Sequence, residues 1–420
     1  MIRFLWALVL LVVSVTPVAG QTLSAAAFLS SAKDDLRVRN HRELLDYLAS
    51  AARDTPYIDR IELRTETDNF DILRQRYALR VYPRGWGETS SARNVHYARS
   101  IAKRYEQRRL LIDALAERYE LLLEYVEVKQ LIALYQSLLA TIGDGIAVLR
   151  RLTGVVQSRI DLNPLLTAED RYVDLQLDLV RLEDRMTSVS HKVLALAKGA
   201  KQIGFSADQL KDVQSIAAVA RELAKSKATP NNVDLETRRA EVGLAQARYR
   251  LEVARQHDYL SYLALEYDTQ FRDSSQRAFS LNLGIKLPFI RRDSDDIDRR
   301  KTAHLSEKLR YAQAVYRARE RQRSVLSSLE RLVRQHDILI RRKTTGDAKT
   351  SFERYRKMEG IDPLALLRLK QSIIEGDIRV VRLERSIRTR FVQLLVLLGR
   401  LDGPPLTNQL SRAGERLFGG

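Results

Sequence analysis

Phe279-Ser280-Leu281-Asn282-Leu283-Gly284-Ile285-Lys286-Leu287-Pro288-Phe289 alternates apolar and intervening residues without a break. Side chains on a strand point to opposite faces with period two, so this stretch predicts a strand with one greasy and one wet face. A charged helical stretch follows, to about residue 358. The same order occurs earlier. Tyr77-Ala78-Leu79-Arg80-Val81-Tyr82-Pro83 is a weaker alternating strand ending in proline, and a long helix follows it. Other pairs recur at similar offsets of 199, 201 and 200 residues: Asn163-Pro164-Leu165 with Asp362-Pro363-Leu364, Arg181-Leu182-Glu183 with Arg382-Leu383-Glu384, and Gly199 with Gly399. The chain is therefore duplicated.

Each half reads as helix, strand, strand, long helix, turn, helix. In the first, residues 22–54 carry Leu36, Leu44, Leu45 and Leu48 at helical spacing, stopped by Pro56. Strands are expected within about 58–83, a helical hairpin over about 89–199, and a connector over 200–231. The second half, 232–400, repeats this with strands within about 259–289 and a helical hairpin over about 295–399. Residues 401–420 carry little pattern and are expected to be loose. Ile101, Tyr105, Ile112, Leu115, Tyr119, Leu122 and Val126 step by three and four, with Arg108 filling one step. That is the coiled-coil period, and a helix of some 70 residues is about 100 Å long. The return helices are half that length. Two continuous helices should therefore run out and two pairs of shorter ones run back, meeting near mid-height beside the connector.

Residues 1–20 read as a secretory signal: Arg3, an apolar run from Phe4 to Val15, and Val18-Ala19-Gly20 before Gln21. No other window is expected to approach a transmembrane helix. There is no cysteine, which excludes disulfides, thiolate metal ligands and a thiol nucleophile. The formal charge of +18 is spread along helices with Glu and Asp interspersed, as at Arg317, Arg319, Arg321 and Arg323. This reads first as a solvated helical surface, with an acidic partner or anionic lipid ahead of nucleic acid. The six histidines, His41, His96, His191, His257, His304 and His336, never fall at ligand spacing, and no Ser/His/Asp set or phosphate loop is present. No enzyme, cofactor or metal site is expected.

Four half-greasy strands cannot close a barrel alone, since the smallest barrels have about eight. Sheet edges are not tolerated in lipid, so strands of this length in a membrane must be pooled by several copies. Arg60, Glu62, Arg64 and Glu66, on one face of the first strand, suit a water-filled lumen. The other reading of the pattern is a periplasmic coiled-coil scaffold without a pore.

The chain resembles the TolC-like outer-membrane efflux proteins of Gram-negative bacteria. Leu281 to Phe289, the Ala- and Arg-rich helix after it, Tyr355-Arg356-Lys357-Met358-Glu359-Gly360 leading into Ile361 to Leu367, and Leu394 to Gly399 carry the resemblance. It is strongest over 233–400 and spans nearly all of the mature chain. It implies a mainly α protein with a small β part, assembled as a homotrimer. A shared 12-stranded barrel in the outer membrane would continue as an α-helical tunnel across the periplasm. It implies a passive exit duct for efflux or type I secretion, docked on a periplasmic adaptor and an inner-membrane pump. A membrane-fusion adaptor fits less well, since the chain has two helical hairpins and no glycine-rich lipoyl-like domain. The chain departs from the family at Pro83-Arg84-Gly85-Trp86-Gly87, at Met358-Glu359-Gly360, in its glycine-free first tip, and in its many arginines.

The resemblance places the entrance and adaptor contacts at the helical turns: Asp161, Asn163 and Pro164 in the first, Gly360, Ile361, Asp362 and Pro363 in the second. Asp161 and Asp362 are expected either to form carboxylate rings or to cap the following helices. Phe279, Leu281, Leu283, Ile285, Leu287 and Phe289 are expected to face lipid. Tyr77, Tyr82 and Trp86 are candidates for an interfacial aromatic belt, the alternative for Trp86 being a packed corner.

Overall fold

The computed structural model describes residues 22–50, 56–67, 75–155, 162–197, 200–225, 232–256, 259–269, 279–286, 294–344, 355, 362–403 and 406–417. The candidate signal and, of the expected site residues, Asp161, Leu287, Phe289, Gly360 and Ile361 lie outside these. Two helices dominate: α3 (Glu88–Val155), of 68 residues, and α7 (Ser294–Thr344), of 51. Against α3 pack α2 (Leu36–Ser50) and α4 (Asn163–Leu196); against α7 pack α6 (Val233–Gln256) and α8 (Pro363–Leu397). α3 also packs on α6 and α8. The wall is therefore four columns wide, with α3 and α6/α8 in the middle and α2/α4 and α7 at its flanks.

Apolar residues at helical spacing cause this packing. Leu131, Tyr135, Leu138, Ile142 and Ile146 of α3 are buried with Leu175 of α4 and with Ile374 and Ile378 of α8. Because α3 has neighbours on both sides, its apolar arc is wide. One window of it is long and apolar enough to cross a membrane by composition, contrary to the expectation that no such window exists beyond the signal. Leu122, Val126, Leu131 and Leu138 in that helix are buried in the two cores.

The strands form one antiparallel sheet in the order β2 (Ile58–Thr67), β3 (Gln75–Pro83), β5 (Leu260–Asp268), β6 (Phe279–Ile285). The two hairpins are joined through β3 and β5, leaving β2 and β6 as free edges among the described residues.

Mid-height is thicker. β1 (Thr22–Leu23) pairs with β4 (Gln202–Ile203), and α1 (Ala25–Ser30), α5 (Val213–Lys225) and residues 406–417 gather there as a girdle. Its core joins Phe28, Leu29, Phe205 and Ile216 to Leu115, Tyr119 and Leu122 of α3.

The girdle corrects two expectations. Residues 22–54 are not one helix: Ser24 caps α1, a 3-10 turn spans Ser31–Asp34, and the Asp35 carboxylate accepts from the Arg37 N–H at 3.1 Å as α2 begins. Short polar side chains that bond nearby N–H groups break helices in this way. The C-terminal segment is not loose either. Leu401, Leu410 and Leu417 are buried, and the Asn408 side chain accepts from the Tyr119 hydroxyl at 3.3 Å. Arg108, the polar step in the α3 seam, is ion-paired with Glu236 at 2.7 Å and with Asp402.

Arg118, 1% exposed, ties the girdle to α3. It donates to the Ser31 hydroxyl at 3.0 Å, the Ser31 carbonyl at 3.2 Å, Asp35 at 3.3 Å and the Ala114 carbonyl at 3.0 Å. The Arg37 guanidinium, with the Arg37 N–H and Arg118, holds the Asp35 carboxyl down at about 2. A carboxyl whose pKa is depressed on folding contributes stability above its unfolded value of about 3.9, and that stability is lost as pH falls through the folded value. Girdle amide protection is therefore expected to fall between about pH 4 and pH 2. Hydrogen exchange on residues 25–50 checks this, and the step should be missing in Asp35→Ala.

Candidate functional site

The sheet sorts its side chains by face. Three cross-strand rows lie on one side: Ile61–Val81–Leu263–Leu283, Leu63–Leu79–Leu265–Leu281 and Thr65–Tyr77–Tyr267–Phe279. The rows between them are polar: Glu62–Arg80–Ala264–Asn282, Arg64–Ala78–Glu266–Ser280 and Glu66–Arg76–Asp268. The apolar face is uncovered, with Leu63 72% and Leu281 68% exposed. Phe279, Leu283 and Ile285 lie open on it as well, beside Tyr77.

The polar face is a lattice of opposite charges. Arg60 sits 3.2 Å from Glu62, Arg76 3.2 Å from Asp268 and Arg80 3.9 Å from Glu266. Gly284 lies beneath the Tyr262 ring, where an added Cβ would come within 2.5 Å of a ring carbon. This close approach explains a glycine in an otherwise regular strand.

The aromatic candidates separate. Trp86 is 88% exposed on the turn between β3 and α3, so it packs into no corner within its own chain. Tyr77 is on the apolar face. Tyr82 is not: its hydroxyl donates to Glu62 at 2.9 Å and Arg60 lies 4.2 Å over its ring. Tyr77 and Tyr82 are an odd number of residues apart, which puts them on opposite faces of one strand.

The starts of α4 and α8 lie together at the opposite end of α3. Asn163 and Pro164 open α4, Leu364 lies in the first turn of α8, and the two ends line one cleft with Gly145 of α3. The Asp362 carboxylate accepts from the Leu364 N–H at 2.9 Å, capping α8, and Pro363 occupies the first helical turn. Capping is thus an observed role of Asp362. Losing the cap in Asp362→Ala is expected to cost about 1 kcal/mol and fray residues 363–366 in hydrogen exchange, whereas Asp362→Asn should keep the cap. Among the described residues, no group of three or more His, Asp or Glu could hold a metal ion.

The arrangement of an open four-stranded sheet above four helical columns matches solved structures over most of its length. The structure of CusC aligns with a TM-score of 0.62 and 12% identity, over 89% of this chain and 91% of that one. The chain has the TolC-type channel fold. The outer-membrane channel OprN aligns at 0.61 and 14% identity, over 89% of each chain. The open state of the Neisseria gonorrhoeae MtrE outer-membrane channel aligns at 0.60 and 14%, over 89% and 88%. No family model and no curated protein matches the sequence. Within the TolC-type fold the two-faced sheet occupies the strand end and the starts of α4 and α8 the far helical end. The girdle, which sequence reasoning placed only as a connector, lies between.

Proposed function

We propose that the chain is the outer-membrane exit duct of a tripartite efflux or secretion system, formed by three copies. The observation that carries this is the uncovered apolar face of a sheet whose two edges are both free. A face of that kind in water is a liability, and unpaired edges in lipid are excluded, so pooling of hairpins into a closed barrel resolves both. Three four-stranded sheets give twelve strands, within the size range of such barrels.

The flanks of the helical wall support the same closure. Leu166, Val173, Leu177 and Val180 are exposed on α4, and Leu305, Leu309 and Tyr316 on α7. Their spacings of three, four and seven are those of a coiled-coil seam that lacks its partner. Setting α7 of one copy against α2/α4 of the next buries both seams. The charged sheet face then lines a water-filled lumen, and Trp86 sits where barrel meets tunnel, suited to the membrane interface. Phe279, Leu281, Leu283 and Ile285 face lipid. The far helical end, with Asn163 and Pro164 at the start of α4 and Asp362 and Pro363 at the start of α8, is the entrance and the surface offered to an adaptor and, through it, a pump.

Cell fractionation with gel electrophoresis of unheated samples tests this reading. A heat-sensitive trimer band in the outer membrane is expected. A protein that remains in the periplasmic extract without detergent would instead be a scaffold.

A further inference from the structure

A groove between α6 and α7 holds more positive charge than its carboxylates can balance. Its seven arginines face three acids, Asp234, Glu241 and Glu307. Each acid already has an arginine: Arg109 on Asp234 at 3.2 Å, Arg238 on Glu241 at 3.1 Å and Arg310 on Glu307 at 2.6 Å. Arg248, Arg300, Arg317 and Arg321 are left without an ion-pair partner among the described residues. Arg300 is half-buried, and desolvation together with the like charges of Arg99 and Arg300 pushes the Arg248 guanidinium down. Like charges held together without counter-charges are costly unless an anion joins them.

The groove also has a defined side. The girdle helix α5 packs on α7 beside Leu326 and Glu330. Arg317 and Arg321 each lie nine residues before one of these, about two and a half turns of helix, which is the opposite face. Twelve helices about 10 Å apart make a ring roughly 19 Å in radius, too narrow to hold three girdles inside it. Resting on the duct reading above, the girdle is outside and the groove faces the tunnel.

We propose that this groove is an oxyanion-binding site on the tunnel wall, and that the cargo carries phosphate or carboxylate groups. Guanidinium forks match both groups in two-bond geometry. Arginines spaced along one groove would pass an anion between weak sites without trapping it, while concentrating anions in the tunnel.

Equilibrium titration of the purified full-length protein in detergent, at low salt, with inorganic pyrophosphate and separately with citrate, tests the site. Saturable binding is expected, weakened at least tenfold in the Arg248→Gln, Arg300→Gln variant. Because Arg300 is half-buried, the exposed pair Arg317→Gln, Arg321→Gln is a second variant that should also weaken binding. Reversal potentials under a KCl gradient should show anion preference in the wild type and a shift toward cations in both variants. Absence of saturable binding, binding unchanged in both variants, or a cation-selective wild-type pore overturns the proposal while leaving the duct intact. Binding through these arginines with no pore keeps the oxyanion site and removes the duct reading instead.

Discussion

Leu283→Arg is expected to abolish assembly in the outer membrane. Leu283 sits on the outermost strand of the sheet, 55% exposed, in the row Ile61–Val81–Leu263–Leu283. In lipid an arginine near the midplane costs about 2–4 kcal/mol per site, and each of the three copies would carry one. Proteins are stable by only about 5–15 kcal/mol, so this penalty is large. The neighbouring Asn282→Arg provides the control. Asn282 belongs to the opposite face, in the row with Glu62 and Arg80, and an arginine there enters a charged, wet surface. Outer-membrane trimer should be lost for Leu283→Arg and kept for Asn282→Arg. Equal yields from both would mean that the apolar face does not meet lipid.

The second large effect is expected from Asp35→Ala. Arg118 is held in the girdle core with Asp35 as its only carboxylate partner among the described residues. Removing that partner strands a buried cation, and breaking such pairs costs about 3–5 kcal/mol. The carboxylate also anchors Arg37, which reaches Glu117 on α3 at 2.6 Å, so α2 should loosen as well. Asp35→Ala, Arg118→Met should recover much of the loss, because the stranded charge is then gone and an apolar side chain fills the site. Thermal unfolding of the single and double variants checks this. A double variant no better than the single one would show that hydrogen bonds to Ser31 and Ala114, not the ion pair, hold the girdle.

How much of this was legible in the sequence varied with how local the signal was. The period-two pattern of Phe279 to Ile285 and the three-four spacing from Ile112 to Val126 are local, and both elements formed where those patterns run. The duplication carried the same reading into the weaker first hairpin, whose strands span Ile58–Thr67 and Gln75–Pro83. The girdle was not legible. Residues 406–417 have no periodicity, and their order comes from contacts with Tyr119 and Lys211, far away in sequence. One clue was local: the side chains of Ser24 and Asp35 bond N–H groups just after them, which marks a helix start rather than a helix interior.

The candidate site divides in the same way. Faces of the strands followed from parity alone, and parity also separates Tyr82 from Tyr77. The arginines of α7 looked like a solvated surface because sequence cannot say which carboxylates lie across the groove. Only the pairing of Asp234, Glu241 and Glu307 with other arginines leaves Arg317 and Arg321 over.

Single-channel recording of the purified protein in a planar lipid bilayer tests the central claim most directly. Discrete conductance steps of uniform size, produced by a trimer that needs detergent for solubility, are expected. A soluble monomer that leaves the bilayer silent would contradict it.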